Sequence, residues 1–403
     1  MRKLGRLPAL INGDRGAIAT IFAIMISTAV IIAMFVMVFD VGSIYTERRV
    51  LQNASDSAVT ATAQECAIDG TGAILNVSPA YASALCTSYP NSVEFATRYA
   101  NLNSPDRLSS ISELCGTAPL LACRSLGNGV FECKSVDSRY VNFARARTET
   151  LQVSGNSIQS LFNSLISSND SNVKVVSCSQ AAWGKAGFAP LLFPIALPIC
   201  DYTIKGTKLI SDFSSNSPVV IGGCTITDLN GQTFNYTSPT QGFSLLDSFG
   251  CPGVSAPRRT YVGDTLQIQA SLTQVEAQCP NGSSQFYDQL RTFVGSQVFV
   301  PVVTSVVCQS GSNNCQGNYI FQVASFYSFK FLGGKFKNRG LVGSGPACAI
   351  GDPCQRNDLW PSACDSTRNC VYGTFEKAIV PGSDVSLDPS YPAVGAMAVQ
   401  LLP

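Results

Sequence analysis

From Ala17 to Phe39 the chain reads AIATIFAIMISTAVIIAMFVMVF, a run with no charge, no proline and nothing more polar than Ser or Thr. As a helix rising 1.5 Å per residue it is about 35 Å long, enough to cross the ~30 Å hydrocarbon layer of a bilayer. Arg2, Lys3, Arg6 and Arg15 precede it, whereas Asp40 and Glu47 partly offset Arg48 and Arg49 behind it. The positive-inside rule then puts residues 1–15 in the cytoplasm and residues 40–403 outside the membrane. The run is longer than a signal-peptide core and no small-x-small site follows it directly; the first such string, Ala61 to Ala63, is too far downstream. A retained single-pass anchor is the expectation.

Past Asp40 nothing stops the helix. VGSIYTERRVLQNASDSAVTATA has no proline, and Val41, Ile44, Tyr45, Leu51, Ala54, Ala58 and Ala61 recur at helical spacing, so one helix is predicted to about Ala67. Ala54, Ala58 and Thr62 form a line of small residues at i, i+4 and i+8, which lets another helix approach closely or lets this helix lie on its own ectodomain. The pattern alone leaves both open.

Composition excludes several function classes. The 27 basic and 26 acidic residues give no field to draw nucleic acid. The absence of histidine removes the usual base of Ser and Cys hydrolases and the commonest ligand of catalytic zinc. No Walker-type loop, calcium loop or Gly-x-Ser-x-Gly elbow is present. No cofactor, metal or enzymatic activity is expected.

The segment RGAIATIFAIMISTAVIIAMFVMVFDVGSIYTERRVLQNASDSAVTATA resembles the N-terminal part of the TadE/TadG-like Flp pilus-assembly proteins, in particular the actinobacterial TadG-related branch. The residues that carry the likeness are Arg15 and Gly16, Asp40 and Gly42 at the helix exit, Arg48 and Arg49, and the Leu51, Gln52, Asn53, Asp56 stretch. Shorter strings continue it: FATRYANLNS from Phe95, RYVNFARARTETL from Arg139, AAWG from Ala181 and LPICDY from Leu197. The resemblance implies a membrane-anchored structural or accessory component of Flp pilus assembly or related envelope secretion machinery, held in lipid and meeting other assembly or secretion proteins through its N-terminal helix. An anchored extracellular binding or adhesion module is the alternative. Pseudopilins of this group carry a Glu-Tyr or Glu-Phe pair at the fifth and sixth positions after the cleaved Gly. Counted from Gly16 these positions are Ile21 and Phe22, so pilin-style trimming is not expected. Some relatives carry a metal site beginning Asp-x-Ser-x-Ser; the nearest string here, DFSSN from Asp212, ends in Asn and is read as a solvated loop.

All sixteen cysteines follow the apolar helix: Cys66, Cys86, Cys115, Cys123, Cys133, Cys178, Cys200, Cys224, Cys251, Cys279, Cys308, Cys315, Cys348, Cys354, Cys364 and Cys370. Their even number and external placement predict disulfides. Cys308 with Cys315 and Cys364 with Cys370 are near enough in sequence to close short loops, but spacing fixes no connectivity.

The predicted fold class is α+β, a long transmembrane helix followed by a disulfide-containing, β-rich ectodomain. After the helical segment 16–67, an α+β part is expected over 68–200 and a β-rich part over 201–403. Helices are predicted over Ser92 to Ala100 and at Ile158, Leu161, Phe162, Leu165 and Ile166. Strands are predicted over Tyr140 to Ala146, Val173 to Cys178, Thr265 to Leu272, Val298 to Val307 and Tyr319 to Phe331. Phe188 to Cys200, with Pro190, Pro194 and Pro198, is too short to span a membrane and reads as a buried extended segment.

Overall fold

A computed structural model of the protein describes residues 15–68, 89–124 without 106 and 119, 133–151, 172–198 without 192, 279–308, 318–336, 370–387 and 395–402, with shorter pieces between them. Helix α1 (Arg15–Ala67) runs unbroken through the apolar stretch and its polar continuation. Its hydroxyls bond back into the helix: Ser27 and Thr28 donate to the Ile24 carbonyl at 2.9 and 2.7 Å, and Thr46 donates to that of Gly42 at 2.9 Å. Such bonds satisfy Ser and Thr inside an apolar helix.

Helix α2 (Tyr89–Leu102) extends the predicted one at both ends, and with the last turns of α1 it covers one face of a five-stranded sheet. That sheet has the order β1 (Ser109–Gly116), β2 (Asn142–Thr150), β5 (Val176–Lys185), β19 (Ala396–Leu402), β18 (Ala378–Ile379). Its central pairs are antiparallel, with Ala144 opposite Ala181 and Val399 opposite Trp183. The last strand of the chain thus completes the sheet nearest the first helix, so strands from both sides of residue 200 share one layer.

Between β2 and β5 the short strands β3 (Ile158–Gln159) and β4 (Asn172–Val173) pair, Ile158 facing Val173. The helix predicted to begin at Ile158 is corrected there: the connection between two antiparallel strands pairs with itself, and local pairing of β-branched residues overrides the 3.6 spacing. The rest of that predicted helix, from Leu161, lies outside the described residues, as does the loop from Asp212 to Asn216. The predicted strand from Val173 is likewise divided, Val173 closing β4 and β5 starting at Val176.

Behind this sheet lies a larger one. Strands β7 (Ile195–Pro198), β11 (Ser244–Leu246), β13 (Thr265–Gln269), β15 (Asn318–Phe336) and β14 (Gln297–Cys308) are paired in a ring, β14 closing on both β7 and β15. The far half of β15 carries β16 (Gly340–Val342) and β17 (Cys370–Phe375), which continues into β8 (Val219–Gly222), β9 (Thr225–Asp228) and β10 (Thr233–Asn235). A separate pair joins β6 (Phe188–Leu191) to β12 (Arg258–Tyr261). The proline-rich stretch from Phe188 is therefore two short buried strands, as its prolines and length required.

Period-two alternation on β14 and β15 serves two cores. Val298, Val300, Tyr327, Phe329 and Phe331 pack in one with Phe286 and Leu290 of helix α3 (Gly282–Thr292). Val303, Val323 and Phe326 pack in the other with Ala396 and Ala398 of β19. On β19 the side chain between them, Met397, turns to the opposite face and joins the α1 and α2 core. At β19 the first sheet is thus buried on both faces.

Candidate functional site

The residues of interest lie on α1, and the helix changes character near Val50. From Ile18 to Phe35 its side chains are exposed all round, Met25 and Phe35 each at 62%. This helix is long and apolar enough to cross a membrane. From Leu51 onward one face is sealed, with Leu51, Ala54, Ala58, Val59 and Ala63 fully buried. Ala54, Ala58 and Ala63 share a core with Ala96 and Ala100 of α2, Ala144 and Ala146 of β2, and Ala181 and Trp183 of β5. Alanines on α2, β2 and β5 allow close approach, so the small-residue line is filled from within the chain. Of the two approaches that the pattern allowed, the helix takes the one onto its own ectodomain.

Polar side chains sit beside this alanine seam. Asp56 Oδ1 accepts from Gln52 Nε2 at 2.9 Å and from Ser179 Oγ at 2.5 Å. Gln52 Nε2 also donates to Ser179 Oγ at 2.8 Å, and its Oε1 accepts from Ser177 Oγ at 2.5 Å. Ser55 Oγ lies 2.6 Å from Ser179 Oγ. With the Ser179 proton given to Asp56, the one Ser55 proton is shared between Ser179 Oγ and the Gln52 carbonyl, 3.0 Å away. Thr148 Oγ1 donates to the Leu51 carbonyl at 3.0 Å. Three strand hydroxyls therefore clamp one turn and a half of α1, and a network so fully satisfied fixes the register of helix on sheet.

The structure divides the residues that carried the family resemblance. Gln52, Asp56 and Leu51 form the clamp and its core, while Asn53 and the two arginines are exposed. Arg49 Nη2 donates to Tyr45 Oη at 2.7 Å and its guanidinium lies 4.6 Å over the Tyr45 ring. Asp40 is buried, and a Cβ on Gly42 would meet nothing within 4 Å. Arg15 and Gly16 form the first turn of α1, and their side chains lie outside the described ones. Sequence reasoning did not find Ser177 and Ser179; alternate serines in VSCSQ, ahead of AAWG, are the signal that could have.

An open groove of about 360 Å³ follows the outer seam of α1 and α2, lined by Asp56, Thr60, Gln64, Tyr99, Asn103 and Leu401. Burial pushes the Tyr99 phenol above its ordinary pKa; the Arg98 charge works against this and Glu65 adds to it.

Four cysteine pairs among the described residues sit at disulfide distance. Cys66 and Cys86, with Cα atoms 5.5 Å apart, tie the end of α1 to the approach to α2. Cys115 with Cys123 (4.8 Å) and Cys133 with Cys178 (5.3 Å) brace the first sheet, and Cys251 with Cys279 (4.5 Å) lies in the core under α3. Cys370 on β17 is also disulfide-bonded. Cys200, Cys224, Cys315, Cys348, Cys354 and Cys364 lie outside the described residues, and so does the side chain of Cys308. Among the described residues no three His, Cys, Asp or Glu side chains converge on a common point.

Residues 16–65 match the Tad family model, "Putative Flp pilus-assembly TadE/G-like". The matched stretch is helix α1 almost from end to end. No curated protein and no solved structure matches the chain.

Proposed function

We propose that this chain, whose first helix matches the Tad model, is a membrane-held structural or accessory component of Flp-type pilus assembly or a related secretion apparatus. The observation that carries the reading is the division of α1. Its Tad-like polar residues Gln52 and Asp56 are spent on the chain's own sheet, while the apolar half is left free for lipid and for other membrane proteins. Partner contact in the membrane is therefore assigned to residues 16–50 and not to the whole segment up to Ala67. The basic N-terminus lies in the cytoplasm and the ectodomain, with its paired cysteines, lies on the oxidising side.

Deletion of the gene tests this reading, followed by electron microscopy of surface pili and complementation with versions whose residues 16–50 are exchanged for an unrelated membrane helix. Loss of pili, restored by the native chain and not by the exchanged one, is the expected result. Normal piliation of the deletion strain would refute it. Thiol counting on protein extracted from the envelope tests the oxidised state, sixteen free thiols being the result that counts against it.

A further inference from the structure

Helix α1 and strand β5 run side by side, which fixes how near the membrane the first sheet comes. Gln52 meets Ser177, and Ser55 and Asp56 meet Ser179, so β5 climbs away from the apolar run as α1 does. Gln52 lies about 20 Å beyond Phe39 along the helix. Lys174, three residues before Ser177, lies about 10 Å back toward Phe39 at the rise of an extended chain. That leaves its backbone about 10 Å from the end of the apolar run, and a headgroup layer is about 5–8 Å thick on each side of a bilayer. A lysine side chain spans the remainder.

Other cations gather at this end. Ser109 of β1 pairs with Thr150, whose N–H donates to the Val175 carbonyl at 3.1 Å, so Arg107 leads into the sheet at the same end as Lys174. Arg107 is exposed and holds a left-handed backbone, φ 58°. Arg49 projects from α1 about 15 Å beyond Phe39, stacked on Tyr45. Lys174 pairs with Glu149, but its side chain stays 50% exposed while that of Glu149 is 11% exposed, so the cation is the one that faces outward. Among the described residues Asp40, buried, and Glu47, half-buried, both on α1, are the other acids near this end. Leu102, 62% exposed, follows Asn101, whose side chain accepts from the Ser109 N–H. Arginine, lysine, a stacked tyrosine and an exposed leucine on one rim are the residue types that settle at a charged lipid interface.

We infer that this rim, through Arg49, Arg107 and Lys174, seats the ectodomain on anionic phospholipid headgroups. The inference rests on reading α1 as the anchor. It makes the ectodomain a body held at a fixed tilt over the bilayer, with the Cys66 end of α1 pointing away from the lipid.

The full chain reconstituted in nanodiscs of phosphatidylcholine alone, or with a third of phosphatidylglycerol, supplies the test through amide hydrogen exchange. Anionic lipid is expected to slow exchange by about threefold in peptides covering 104–111 and 172–177, with no change around 60–67, and added salt is expected to reverse it. A chain with Arg107→Gly and Arg49→Gln is expected to lose the slowing; glycine suits the φ at 107, so the fold is retained, as an unchanged exchange pattern at 60–67 will report. Equal exchange in both lipids, or slowing by free inorganic phosphate without anionic lipid, overturns the inference while leaving the anchor intact. Failure of the chain to enter nanodiscs at all overturns both.

Discussion

The two halves of α1 are one helix built to opposite rules. From Ile18 to Phe39 its side chains are almost all exposed, and its stability as a helix comes from its own backbone bonds in a medium that offers no others. After Leu51 it is an ordinary amphipathic element whose alanines and clamp residues owe their positions to a sheet whose strands come from both halves of the chain. The same backbone thus passes from a region where side-chain identity matters little, provided it is apolar, to one where a single methyl group matters. The difference separates what the family signature does for the membrane from what it does for the fold.

The largest effect should come from charges placed in the first half. Ile26→Asp with Ile31→Arg puts two charges near the centre of the span, about 5–7 kcal/mol against insertion. The protein is expected to leave the carbonate-resistant membrane fraction while the thermal unfolding of its ectodomain stays unchanged. An unfolding shift comparable to the loss of anchoring would show that the halves are not independent. A smaller effect is expected from bulk in the second half. Ala58 is fully buried where α1, α2 and β5 meet. Ala58→Leu should destabilise the ectodomain by about 2–3 kcal/mol through overpacking, read from denaturant unfolding. Ala33→Leu, the same change on the exposed half, should alter neither unfolding nor anchoring.

The clamp comes next. Asp56→Ala removes the acceptor shared by Gln52 and Ser179. A loss of about 1–2 kcal/mol is expected, toward the low side for a charged acceptor because Asp56 is half-exposed. Asn53→Ala, on the exposed side of the same turn, should stay within about 0.5 kcal/mol. If the two variants unfold alike, the polar cluster is incidental and the alanine seam alone holds the helix.

How much of this was legible in the sequence follows from where each cue resides. The apolar run, the unbroken helix to Ala67 and the strands Val298 to Val307 and Tyr319 to Phe331 are written locally, in hydropathy and β-branched spacing, and they stand with shifts of a residue or a few at their ends. The extension of β5 to Lys185 was not legible, because SQAAWGK has neither alternation nor β-branched residues; it is a strand because both faces are buried, which is a tertiary fact. The same holds for β19, which joins β5 across some two hundred residues and carries no mark of its partner. The candidate site was half legible: Gln52 and Asp56 stood out through the resemblance, but their function as a clamp depends on Ser177 and Ser179, residues of a type common in any surface loop.

The smallest effect bears on the docked half alone. Tyr99 packs at a tilt against Phe95, with ring centroids 4.9 Å apart, and both pack with Ala61 of α1. Its phenol is held above the usual value of about 10, chiefly by burial. The folded chain therefore favours the neutral phenol, and its contribution is complete below the unfolded pKa and declines as pH rises through the folded one. The prediction is a slight loss of ectodomain stability as pH rises above about 10 that Tyr99→Phe removes, measured as the difference between the two unfolding curves at each pH so that other titrating groups cancel. Because Tyr99 leans on α1 beyond Leu51, attachment to the membrane should be insensitive to the same change. A pH-dependent release of the anchored protein that Tyr99→Phe abolishes would mean that the docked half governs the membrane half after all.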